Sequence, residues 1–68
     1  MKVKFKNTEI CVSNLKTGMV VEWGEFESHY GNILAFHIEK PFVFITVSIG
    51  HSRHVTLKSS EITWINPD

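Results

Sequence analysis

From Phe42 to Ile49 the chain repeats with a period of two: Val43, Ile45, Val47 and Ile49 fall on one side of an extended backbone, Phe42, Phe44, Thr46 and Ser48 on the other. A helix would repeat every 3.6 residues, so this run reads as a strand with its first set turned to a core. The same alternation recurs along the chain. In residues 2–6, Val3 and Phe5 alternate with Lys2, Lys4 and Lys6, and Ile10 and Val12 alternate soon after. Further strand signals cover residues 19–23, 33–38, 54–58, with Val55 and Leu57 inward, and 62–65. No segment carries a sustained helical period, which makes the chain all-β.

Breaks between these runs are polar. Residues 13–18 form a turn-rich stretch in which Leu15 can plug the base of a core. Residues 24–32 read as an exposed connection, 39–41 as a turn, 50–53 as a hairpin link, and 59–61 as a break with room for one helical turn at most. At 68 residues there is space for a single domain spanning the whole chain. The only cysteine is Cys11, so packing rather than an intrachain disulfide must hold the fold, and a free thiol in an apolar stretch reads as a small buried hydrophobe. Five or six short strands bury their inner faces most economically as a small barrel, because closure also hides the edges.

The residues Leu15-Lys16-Thr17-Gly18-Met19-Val20-Val21-Glu22, then Gly31-Asn32-Ile33-Leu34, then Ser60-Glu61-Ile62-Thr63-Trp64-Ile65 resemble the Src-homology-3-like (SH3-like) small barrel. In that group a Lys-x-Gly-x-Val-Val strand precedes a long first loop, a Gly-x-Ile strand, a hairpin and a one-turn helix before the last strand. Within it the chain looks most like the KOW-like and Tudor-like barrels, and the resemblance implies a binder of RNA, DNA or protein tails. KOW-like first loops are richer in glycine and basic residues. Here Glu22, Glu25 and Glu27 occupy that region and argue against phosphate binding by it.

Charge sharpens the choice of partner. Seven Lys and Arg balance seven Asp and Glu, so no net field draws the chain to phosphate or anionic lipid. Three features remain as candidate surfaces. The first is the aromatic and acidic run of Trp23, Glu25, Phe26, Glu27 and Tyr30, where ring faces beside carboxylates suit a Lys- or Arg-bearing segment. The second is the outer pair Phe42 and Phe44, which would form an exposed aromatic patch. Together these make a protein-binding surface.

The third is a set of cations, Lys2, Lys4, Lys6, Lys40, Arg53 and Lys58. Alternate residues of a strand stand about 6 to 7 Å apart, near the spacing of phosphates on a single strand, which gives the alternative of a nucleic-acid binder. The ordinary role of such lysines is to protect an edge strand. Of the four histidines, His51 and His54 lie close in sequence, but nothing local completes a zinc ligand set. No cofactor motif and no catalytic grouping is visible. Nor is there an apolar run long enough for a membrane span or a signal peptide, and the expected address is the cytoplasm. The reading is a non-enzymatic module that docks on a larger protein or complex, a small accessory or regulatory factor of the size encoded by bacteria and phages. A structural subunit of a homo-oligomer is the further alternative.

Overall fold

The computed structural model describes residues 1–67. Its elements are β1 (Val3–Lys4), α1 (Glu9–Ser13), β2 (Val20–Trp23), β3 (His29–Glu39), β4 (Phe42–Gly50), β5 (Arg53–Lys58), a 3-10 turn (Ser59–Glu61) and β6 (Ile62–Asn66). The strands form one antiparallel sheet of six, in the order β1-β6-β2-β3-β4-β5. The expected class is therefore observed. Closure is not: among the described residues no ladder joins β1 to β5, and these two strands are the edges of an open sheet. Strand β1 is two residues long and pairs only with β6, so it cannot complete a barrel.

The core takes one or two residues from each of β2 to β6 and none from β1. Val21, Ile33, Ile45, Val47, Leu57 and Ile62 come from the sheet, while Phe5 and Leu15 close it from the segments beside β1 and α1. The inward set expected for β4 is confirmed, with Ile45 and Val47 fully buried and Val43 and Ile49 packed against the cluster. Ser59 is buried too, and its hydroxyl donates to Asn7 Oδ1 at 2.7 Å, tying the 3-10 turn to the amino-terminal segment. The turn itself is fixed by Glu61, whose Oε2 accepts the Lys58 backbone N–H at 2.7 Å.

Four expectations need correction. Ile10 and Val12 do not alternate in a strand, because Thr8 caps a short helix by accepting the Cys11 N–H at 3.2 Å. Cys11 and Val12 then pack on the core from the helix, and Cys11 is only half-buried. Residues 29–32 are not loop but the start of β3, paired as Val20↔Asn32, Val21↔Gly31, Glu22↔Tyr30 and Trp23↔His29. Val3 sits on the core side opposite Ile65, yet its place on the edge leaves it exposed.

A bulge in β3 has the largest effect. The register passes from Ile33↔Val47 to Ala35↔Thr46, so Leu34 is an extra residue. Directly opposed residues share a face. Ile33 and Val47 face inward, and beyond the bulge so do Phe36, opposite Ile45, and Ile38, opposite Val43. Strict alternation from Ile33 would have put Phe36 and Ile38 outside.

Candidate docking surfaces

The acidic connection is a tight loop over residues 24–28. Gly24 turns the chain with φ +113°, and a Cβ at this position would collide with the Glu27 carbonyl oxygen. The loop holds Phe26 95% exposed between Glu25 and Glu27, so the ring does not cap the core. Trp23 does pack on the core, and its ring stacks on His29 with centroids 5.9 Å apart and planes at 25°. Trp23, Gly24, Glu25, Glu61 and Thr63 line an open cleft of about 580 Å³. Glu61 was not anticipated in this site. It arrives because β6 is the neighbour of β2, a pairing between segments far apart in the chain.

Tyr30 departs from the group. It lies opposite Glu22 on the outer face, whereas Trp23 is turned to the core side. Glu22 is not a loop residue either. It stands in β2, 7% exposed, and its carboxylate pairs with Lys2 Nζ at 3.2 Å. The same Nζ sits 4.9 Å from the centre of the Trp64 ring. Lys2, Glu22, Tyr30 and Trp64 thus line a small outer-face hollow of about 170 Å³.

The other aromatic pair is assembled as expected in part. Phe42 is exposed and Phe44 half-buried, with ring centroids 6.2 Å apart. His37 lies 6.3 Å from Phe44, and Lys58 Nζ is 4.7 Å from the centre of the Phe42 ring. The register explains this cluster, since His37, Phe44 and Lys58 occupy one row across β3, β4 and β5.

The six candidate cations are not gathered into one row. Lys2 and Lys4 flank or lie on one edge strand, Arg53 and Lys58 lie on the opposite edge, Lys40 is in the β3–β4 turn, and Lys6 follows β1. Lys2 and Lys58 are already engaged with Glu22 and with aromatic rings. His37 Nε2 lies 3.4 Å from Glu39 Oε2, and among the described residues no three His, Cys, Asp or Glu side chains converge as metal ligands do. No described helix is long and apolar enough to cross a membrane.

A further apolar cleft of about 570 Å³ was not foreseen. Its walls are Val12 and Leu15 on one side and Phe36, Ile38 and Val43 of the β3–β4 hairpin on the other. It owes its existence to the bulge at Leu34, which turns Phe36 and Ile38 to this side. No family model matches the chain, and searches of curated proteins and of solved structures give no match.

Proposed function

We propose that this chain is a non-enzymatic protein-docking module with the element order of an SH3-like small barrel, and that it takes a basic segment of a larger protein at the loop of residues 24–28. The fold reading is supported by the sequence of β2, a loop, β3, the β3–β4 hairpin, β5, a 3-10 turn and β6, in which β6 returns beside β2. The missing seam between β1 and β5 leaves the sheet open rather than closed.

The observation that carries the functional reading is Phe26. A large ring left almost wholly in water forgoes about 1.5–3 kcal/mol that burial would supply. The loop nevertheless presents it on a turn that only a glycine at position 24 accommodates without strain. Glu25 and Glu27 flank it, and Glu25 and Glu61 border the neighbouring Trp23 cleft. Carboxylates around an aromatic surface favour a Lys or Arg side chain over an acidic one.

Selection of a displayed random-peptide library on the immobilised protein tests this. Enriched peptides should carry Lys or Arg beside an apolar residue. They should lose binding to Phe26→Ser, whose circular dichroism and melting stay as in the parent because the ring supports nothing beneath it. Peptides that bind Phe26→Ser undiminished, or a selection that enriches acidic sequences, would refute the reading.

A further inference from the structure

Among the described residues β1, β5 and part of β3 present open strand edges, and these three are not treated alike. Strand β1 carries Lys4 and is preceded by Lys2, and β5 begins and ends with Arg53 and Lys58. Charged edge residues of this kind discourage pairing with another chain. The third edge is internal. Strand β3 runs for eleven residues, but β2 pairs only with His29 to Asn32, and Met19 and Gly18 extend the contact by backbone bonds to Ile33. At Gly18, φ +88°, the chain turns away toward Leu15 and α1.

Beyond that point the side of β3 away from β4 has no ladder partner among the described residues through Glu39. The stretch is Leu34-Ala35-Phe36-His37-Ile38-Glu39, without Lys, Arg or Pro. Leu34, Phe36 and Ile38 are 52%, 39% and 67% exposed. A strand added here would lie about 4.8 Å from β3 and set its inward side chains into the cleft bounded by Val12 and Leu15.

We infer that this edge pairs with the same edge of a second copy of the chain, antiparallel and about a two-fold axis at His37. An isologous contact requires that residue i meet j and j meet i. Centred on His37, Phe36 opposes Ile38 of the second copy, Ala35 opposes its Glu39, and His37 opposes its own counterpart, so the paired stretch stays clear of Ile33, whose edge Gly18 and Met19 hold. Phe36 and Ile38 thus meet apolar partners, and neither Glu39 nor Lys40 faces a like charge, since they fall opposite Ala35 and Leu34. The rim of the cleft holds one acid, Glu9, and one cation, Lys40, so the surface has no net charge to repel its own copy. The loop of residues 24–28 joins the other end of β3 and stays free, which would give the pair two docking loops.

Sedimentation equilibrium of the full chain over a wide concentration range tests the inference. The parent should weigh two chains at high concentration and approach one on dilution. Ile38→Lys, at an exposed position that does not support the core, should raise the dissociation constant at least about 100-fold, because it sets two ammonium groups in an apolar seam. Thr56→Lys on β5 should change nothing. Circular dichroism confirms that both variants fold. A parent that stays a single chain at millimolar concentration, masses that climb past two chains, or an Ile38→Lys protein that dimerises as the parent does would each overturn it.

Discussion

The Lys2–Glu22 pair offers the sharpest quantitative test of how this small sheet is held. At 3.2 Å, with the effective dielectric of about 20 that suits such sites, the Coulomb attraction is about 5 kcal/mol before desolvation is subtracted. The Glu22 side chain is 9% exposed and that of Lys2 51%, so the lysine keeps much of its hydration and its charge is screened, while the carboxylate bears most of the desolvation. The net coupling should therefore lie between a surface pair and a fully buried one, about 1–2 kcal/mol. A double-mutant cycle of Lys2→Met, Glu22→Gln and the double variant, read by urea unfolding, isolates it. Lys2→Met alone should lower the melting temperature by about 4–16 °C, given that about 1 kcal/mol moves a domain of this size by 4–8 °C. In the double variant most of that loss should return, because no charge is then buried without a partner. A coupling below about 0.3 kcal/mol, within the scatter of independent sites, would mean that Lys2 is a solvated edge residue and is free to meet a phosphate.

Two further outcomes bear on the core and the loop. Ile45→Ala removes a fully buried side chain from the middle of the sheet and should lose about 2–5 kcal/mol, a large share of the roughly 3–10 kcal/mol available to a chain this short, so thermal melts should show a much less stable or unfolded protein. Gly24→Ala should weaken peptide capture by the 24–28 loop and lower stability by at least about 1 kcal/mol, since its Cβ meets backbone and its φ is left-handed; an unchanged melt together with unchanged capture would contradict the assigned loop geometry.

Period-two alternation identified the strands wherever both faces of a segment differ in polarity. Residues 42–49 and 54–58 are the clearest cases, because Ile45, Val47 and Leu57 face the core as the pattern requires. It failed at Ile10 and Val12, where two apolar residues are too few to separate a strand from one helical turn and the cap at Thr8 decided. It stopped short of residues 29–32, whose polar side chains hide a ladder made by backbone groups. The exposed loop and the Phe42/Phe44 pair were legible from local residue types. Glu61 at the Trp23 cleft and Lys2 on Glu22 were not, since each depends on a pairing between distant parts of the chain. The open edge of β3 was hidden for a related reason: it exists only because β2 is shorter than the strand it pairs with.

The extra residue at Leu34 reaches further than local geometry. An in-frame loss of that one codon would join Ile33 directly to Ala35 and leave Ala35↔Thr46, Phe36↔Ile45 and Ile38↔Val43 as a regular ladder, so Phe36 and Ile38 would keep their side. In this chain the bulge absorbs a difference of one amino acid that an unbulged strand would express as an exchange of its two faces. Members of any lineage of such domains would then differ in length by one residue at this point and still offer the same two surfaces.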